Sequence, residues 1–229
     1  KTPSYLLPAS SRLLHEPRGT VLIIAPWNYP FQLLMTPLVG AISAGNTAML
    51  KPSEFCVKTN AVMEEIVRSV FHKGHVQMVH GGKTTNQQLF KIQFDLVYFT
   101  GSPFLGKIVM QAAAEMLTPV VLELGGKSPC IVDQSANVEV SAKRIAWGKT
   151  VNLGQTCIAP DYALIHESVY EDFKQGVIKY WKEFFGESPQ ESDYLPRIVN
   201  DVAFDRLSSY LSQGEIVFGG ETDKQDKYI

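Results

Sequence analysis

Short apolar runs alternate with helix-forming segments over about a hundred residues, and this pattern restricts the fold more than any other feature. The run TVLIIAPW, residues 20–27, is rich in β-branched residues and ends near a proline, which is typical of a strand buried on both faces. Four further strands are predicted at residues 47–53, 76–81, 94–102 and 119–126. Helices are predicted between the strands at residues 31–46, 59–71, 85–92 and 103–117. This strict alternation predicts an α/β fold built on a parallel sheet with helices on both faces.

The segments on either side of this alternating stretch define the predicted domains. Residues 1–19 are punctuated by prolines and predict an extended approach to the first strand. The turn at Gly125-Gly126 is the predicted boundary between a first domain, residues 20–124, and a second, residues 125–229. The second domain is predicted to contain a helix at 137–152 with a stop at Asn152 and Gly154, a strand at 161–167 and a helix at 170–185.

The charge balance narrows the range of partners. The chain has 21 basic and 23 acidic residues and a formal net charge of -2, so nothing in its electrostatics favours nucleic acid or an anionic membrane. Its apolar runs stay below the roughly 18 residues that would suggest a membrane span. We therefore expect no nucleic-acid partner.

The three cysteines, Cys56, Cys130 and Cys157, are odd in number and far apart. They form no CxxC pair and no zinc-ligand spacing, which argues against a disulfide framework and against a metal site. A reducing, cytoplasmic setting is the default for such a chain. For Cys157, core packing and nucleophilic catalysis remain as the two interpretations.

Polar groups follow the predicted strands at the edge where a parallel sheet binds its ligands. Ligands of such sheets lie at the carboxyl ends of the strands. The groups at those ends are Asn28, Lys51, Glu54, Gly101, Ser102 and Glu123. Cys157 lies in a later predicted loop, before the strand at 161–167.

Two of these strand ends suit a dinucleotide. Gly101 and Ser102 open a helix whose unpaired N–H groups and positive dipole end suit a phosphate, although the spacing GSPFLG is not GxGxxG. Lys51 and Glu54 follow the second strand, where such sheets read the adenosine ribose. The alternatives are an ordinary strand-to-helix turn and a solvated ion pair.

Asn28, Glu123 and Cys157 have complementary chemistry. The amide of Asn28 can stabilise an oxyanion, the carboxylate of Glu123 can take a proton, and a thiolate at Cys157 can attack a carbonyl carbon. Capping of a helix or turn is the alternative role for Asn28 and Glu123.

Five motifs in order carry a family resemblance. They are PWNYPFQL, GNTAMLKPSE, FTGS with LGK shortly after it, LELGGKSP and GQTCIAP. Together they resemble the NAD(P)-dependent aldehyde dehydrogenase superfamily, and TPVVLELGGKSPC and CIAPDYAL look most like its class 3 and fatty aldehyde branch. The resemblance implies a Rossmann-like cofactor domain at 20–124, part of a catalytic domain at 125–229, and NAD or NADP as cofactor.

The resemblance also implies individual roles. Cys157 would be the nucleophile, Asn28 with the backbone N–H of Cys157 would hold the oxyanion, and Glu123 would activate water. The cofactor would be bound by Trp27, Lys51, Glu54, Gly101, Ser102 and Gly106. No metal is implied. The substrate would be an aldehyde, apolar or of medium to long chain, and the full-length protein would be a homodimer.

The chain also departs from the family pattern. The family's later glutamate motif near a Phe-Gly-Pro turn and the downstream half of its catalytic domain are absent, and the chain starts at Lys1 rather than methionine. We therefore expect a piece of a longer protein, with membrane attachment beyond the piece left open. The alternatives to a hydrolytic enzyme are an acylating aldehyde dehydrogenase and a truncated, non-catalytic scaffold.

Overall fold

The computed structural model describes residues 2–229, and the chain divides into two compact units, Lys1–Leu124 and Gly125–Ile229. The strands are β1 (Thr20–Ile24), β2 (Thr47–Lys51), β3 (Val76–Met78), β4 (Leu96–Thr100), β5 (Val120–Glu123), β6 (Ser128–Val132) and β7 (Pro160–Ile165). The α-helices are α1 (Pro30–Ser43), α2 (Val57–Val70), α3 (Lys83–Leu89), α4 (Pro103–Ala114), α5 (Val138–Thr150), α6 (Tyr170–Phe185) and α7 (Asp201–Ser208).

The first unit is a five-stranded sheet in the order β3-β2-β1-β4-β5, and each neighbouring pair is parallel. The predicted fold class is therefore confirmed. The strand order reverses between β1 and β4, which is the point where sheets of this kind open a crevice for a ligand. The carboxyl ends of all five strands lie at the same edge of the sheet.

Strand β1 is buried on both faces, which explains its continuous apolar sequence. Val21 and Ile23 belong to one core cluster, which includes Leu34 of α1. Leu22 belongs to a second cluster on the other face, with Val109 of α4. Alternate residues of one strand thus fill two separate cores.

The entry into β1 is fixed by the buried side chain of Asn46, which lies in the turn before β2. Its Oδ1 accepts hydrogen bonds from the backbone N–H groups of Arg18, at 2.6 Å, and Gly19, at 2.9 Å. Its Nδ2 donates to the carbonyl of Ala41 at 3.0 Å. The Gly45-Asn46 stop signal therefore ends one helix and also positions the first strand.

The second unit contains a parallel pair, β6 and β7, and the helices α5 and α6. Ala142 and Ala146 of α5 form a core with Phe173 and Tyr180 of α6. Helix α6 has the predicted bounds, 170–185, whereas β6 and α7 were not predicted.

Across residues 2–229, no helix combines the length and apolarity needed to cross a lipid bilayer.

Leu50 lies in β2, is fully buried at 0% exposure, and allows a test of this core. Leu50→Ala should lower the free energy of unfolding by about 2–5 kcal/mol, because it removes buried atoms and leaves a cavity. The control Leu14→Ala removes the same atoms from a side chain that is 78% exposed. It should change the free energy of unfolding by less than about 0.5 kcal/mol. Urea denaturation measures both, and equal losses would contradict the placement of Leu50.

Candidate functional site

Two of the predicted site segments flank the point where the strand order reverses. Trp27 and Asn28 lie half-buried in the bend between β1 and α1, and Gly101 and Ser102 lie between β4 and α4. Strands β1 and β4 are direct neighbours in the sheet. The two segments therefore lie at the same edge, on either side of the predicted ligand crevice.

In the predicted ion pair at the end of β2, the lysine is buried and the glutamate is exposed. The Lys51 side chain is only 2% exposed, and its Nζ lies 3.3 Å from Oε2 of Glu54, whose side chain is 44% exposed. This is not the fully solvated ion pair that the alternative interpretation required. A Cβ built on Gly82, after β3, would come within 3.1 Å of Oε1 of Glu54, so this glycine leaves room for the carboxylate. A buried ammonium beside an accessible carboxylate fits the hydroxyl groups of a cofactor ribose.

The start of α4 is capped by its own sequence. The Oγ of Ser102 accepts a hydrogen bond from the N–H of Leu105 at 3.3 Å, and the N–H of Gly106 donates to the Ser102 carbonyl at 2.9 Å. Pro103, the first residue of the helix, has no N–H. At this helix start Pro103 therefore supplies no donor and the Leu105 N–H is already paired, while the predicted contact of Gly101 and Ser102 with a phosphate stays a prediction.

Gly106, one of the predicted cofactor residues, has a packing role in the structure. It is buried in α4, and a Cβ at this position would come within 2.8 Å of the Leu124 side chain. The glycine therefore allows α4 to approach the end of β5 closely. Its predicted contact with the cofactor stays a prediction.

Glu123 is the last residue of β5, and its side chain is exposed at the same sheet edge. It pairs in register with Thr100, and Tyr98 lies two residues earlier on the same face. Burial raises the pKa of the Tyr98 hydroxyl, and the nearby Glu123 carboxylate raises it further. Within residues 2–229, the buried Oγ1 of Thr100 has no hydrogen-bond partner.

Sequence reasoning missed Tyr98 and Thr100. The alternation of side chains along a strand could have placed both on the face that Glu123 occupies. A buried hydroxyl at a ligand-binding edge is suited to a bound polar group or water.

Cys157 belongs to the second unit, where it lies half-buried in a turn between α5 and β7. The turn follows three consecutive left-handed residues: Asn152 with φ 51°, Leu153 with φ 54° and Gly154 with φ 69°. This conformation costs a leucine about 1–2 kcal/mol. Helix α5 therefore ends at Thr150, two residues before its predicted end, and the backbone bends sharply towards the cysteine.

Gly126 lies close against the Cys157 backbone on one side. A Cβ built on Gly126 would run into the carbonyl oxygen of Cys157, so only glycine permits this close approach. Gly126 was seen in the sequence as part of a domain boundary, and its contact with the cysteine turn was missed. The motif LELGGKSP contains Gly125 and Gly126, but nothing in it indicates that Gly126 lies against Cys157.

The other two cysteines lie in different surroundings. Cys56 precedes α2, and its Sγ–H donates to the Trp27 carbonyl at 3.3 Å. Burial raises the pKa of the Cys56 thiol. Cys130 lies in β6. Within residues 2–229, no cluster of three or more His, Cys, Asp or Glu side chains is placed to hold a metal ion.

A sequence profile of the aldehyde dehydrogenase family matches residues 6–229. The 4,4'-diaponeurosporen-aldehyde dehydrogenase of Staphylococcus aureus is 50% identical over 230 residues, which cover 100% of this chain and 50% of that protein. Aldehyde dehydrogenase family 3 member A2 of Mus musculus is 47% identical over 214 residues, which cover 93% of this chain and 44% of that protein. The chain thus spans about half the length of the curated relatives it matches.

Solved structures agree with the sequence comparisons. The substrate-bound state of Staphylococcus aureus AldH superimposes with a TM-score of 0.93 at 49% identity, over 100% of this chain and 50% of that chain. A Mycobacterium tuberculosis aldehyde dehydrogenase complexed with NAD+ gives a TM-score of 0.81 at 27% identity, over 93% of this chain and 46% of that chain.

The environment of Cys56 predicts its reactivity. Because burial raises the pKa of its thiol, a smaller fraction of Cys56 is thiolate in the folded protein than in the unfolded chain at the same pH, and only the thiolate is alkylated. Iodoacetamide should therefore label Cys56 more slowly in the folded protein than in the same protein unfolded in urea. The labelling rate of the folded protein should rise as the pH approaches 10. Peptide mass spectrometry measures both rates, and equal rates at pH 8 would contradict this assignment.

Proposed function

Since this chain belongs to the aldehyde dehydrogenase family, we propose that the complete protein oxidises an aldehyde to a carboxylate with NAD or NADP. The observation that carries the proposal is Cys157, a free, half-buried thiol in a turn whose backbone is held against Gly126. A nucleophile needs this combination of access and fixed position.

The first step forms a covalent bond to the substrate. The thiolate of Cys157 adds to the aldehyde carbon, and the carbonyl oxygen becomes an oxyanion. The side-chain amide of Asn28 and the backbone N–H of Cys157 donate hydrogen bonds to that oxygen. The product of this step is a thiohemiacetal on Cys157.

The next steps release the acid. A nicotinamide cofactor bound at this edge would supply the hydride acceptor. When the thiohemiacetal carbon gave up its hydride, Cys157 would keep the substrate as a thioester. Glu123 takes a proton from a water molecule, whose oxygen then attacks the thioester carbon. The carbon–sulfur bond breaks, the product leaves as the carboxylic acid, and Cys157 returns as a thiolate. The acid ionises to the carboxylate in water, and Glu123 passes its proton to solvent.

Lys51 and Glu54 are proposed to hold the adenosine ribose, with donor and acceptor groups for its hydroxyls. Trp27 would line the cofactor crevice, and Gly101 and Ser102 would face the pyrophosphate. The carboxylate of Glu54 disfavours a 2′-phosphate and the ammonium of Lys51 offsets this, so both NAD and NADP fit the proposal.

The same proposal also covers the substrate, the oligomeric state and the cellular compartment. We infer an apolar aldehyde of medium or long chain, and the name of the Staphylococcus aureus relative, 4,4'-diaponeurosporen-aldehyde dehydrogenase, supports this. A homodimer rests on the family resemblance alone. The three free cysteines support a reducing, cytoplasmic compartment.

The nucleophile assignment is tested by Cys157→Ala in the complete protein. The variant should lose NADH formation from octanal and other aldehydes, because no thiol remains to attack. NAD binding measured by calorimetry should be unchanged, because the proposed ribose and pyrophosphate contacts come from other residues. The matched control Cys130→Ala should retain activity. Substantial turnover by Cys157→Ala would refute the role of Cys157.

Glu123→Gln separates the two halves of the reaction. The amide keeps the shape but takes no proton, so steady turnover should fall roughly 10²–10⁴-fold. Rapid mixing with octanal should still show a burst of NADH near one per site, and intact mass should show an acyl group on the protein. The matched control Glu115→Gln, at an exposed position after α4, should behave as wild type.

Three outcomes of that experiment are distinguishable. A burst with a trapped acyl group supports Glu123 as the base that activates water. No burst would show that Glu123 is needed before the thiol attacks, and undiminished turnover would show only a structural role. A separate assay with an added thiol acceptor tests the acylating alternative, in which turnover would depend on that acceptor rather than on Glu123.

A further inference from the structure

The turn that carries Cys157 is held by the side chain of Gln155, which has no part in the mechanism above. The Nε2 of Gln155 donates to the carbonyl of Arg197 at 3.1 Å and to the carbonyl of Asn152 at 3.2 Å. Its Oε1 accepts from the N–H of Val199 at 3.0 Å. One side-chain amide therefore joins the cysteine turn to a segment that lies 42 to 44 residues later in the chain.

Gln155 also braces the strained part of the turn. The carbonyl of Asn152 receives both the Gln155 side-chain amide, at 3.2 Å, and the Gln155 backbone N–H, at 3.1 Å. Asn152 and Leu153 have left-handed backbone angles that non-glycine residues seldom adopt. Without the side-chain bonds, the turn is free to relax towards favoured angles, and Cys157, two residues beyond Gln155, would move with it.

The segment that receives Gln155 is itself anchored. The guanidinium of Arg197 pairs with Asp226 at 2.8 Å and lies 5.6 Å over the ring of Tyr228. The N–H of Ile198 donates to the carbonyl of Lys227 at 3.1 Å. Gln155 therefore ties the cysteine turn to a segment that other contacts already fix.

We propose that Gln155 is a positioning residue that sets the place of the Cys157 thiol for attack on the aldehyde carbon. The proposal rests on the proposed function. Gly126 permits the close approach of the cysteine backbone, and the side chain of Gln155, two residues before Cys157, holds the turn by hydrogen bonds. A displacement of about 1 Å at a reacting atom can lower a rate about 10²-fold, so loss of these bonds should slow the attack itself.

The test compares three variants of the complete protein. Gln155→Met keeps the length of the side chain and removes all three hydrogen bonds, and Gln155→Glu keeps an acceptor for Val199 but removes both donors. Gln175→Met is the matched control, because Gln175 is exposed on α6. Each protein is mixed in excess with a limiting amount of octanal at saturating NAD, and the rate constant of the single turnover to NADH is measured. Calorimetry counts the NAD sites per chain.

If Gln155 is a positioning residue, both Gln155 variants lower the single-turnover rate constant at saturating enzyme about 10- to 10²-fold. The number of NAD sites per chain and the enzyme concentration that gives half of the maximal rate stay unchanged. A purely structural role lowers the number of NAD sites and leaves that rate constant at the wild-type value, and this result would overturn the proposal. If Gln155→Met does not fold, Gln155→Glu decides by the same criterion. A wild-type protein that forms no NADH from octanal or other aldehydes would overturn the proposed function, and this inference with it.

Discussion

Parallel pairing of β1 with both β2 and β4 is the constraint on which the first unit depends. Parallel neighbours must be joined by crossovers, so helices cover both faces and β1 has to be apolar throughout. The same pairing brings every carboxyl end to one edge. Asn28, Lys51, Gly101 and Glu123, which are far apart in sequence, consequently share that edge.

Much of this arrangement could be predicted from the sequence, because strands buried on both faces leave a strong signal. The runs around Val21 and Leu50 are continuous and apolar, and they end at turn residues. Strand β6 was missed because Pro129 interrupts a short sequence that starts with polar residues. Helix α7 spans only eight residues, too few for its periodicity to stand out.

The sequence predicts the candidate site only where its chemistry depends on the types of residue present and on their order along the chain. The motif GQTCIAP predicted Cys157 as the nucleophile, but the partners of Gln155 lie 42 and 44 residues further along the chain. No local sequence pattern indicates a contact between residues that are so far apart in the chain. The capping of α4 by Ser102 could be predicted locally, since serine before proline is a common helix start and a serine cap accepts a first-turn N–H.

Burial of the Lys51 ammonium has a consequence for the relation between stability and ligand selectivity. Taking a charge out of water disfavours the folded state, and here that penalty arises when the domain folds, before any ligand arrives. A ligand bound at this strand end, as proposed for the adenosine ribose, would therefore meet a buried ammonium already paired with Glu54, and little reorganisation of that side chain would accompany its binding. A charge buried in this way exchanges thermodynamic stability for rigidity, which is the trade-off that functional sites commonly impose on their scaffold.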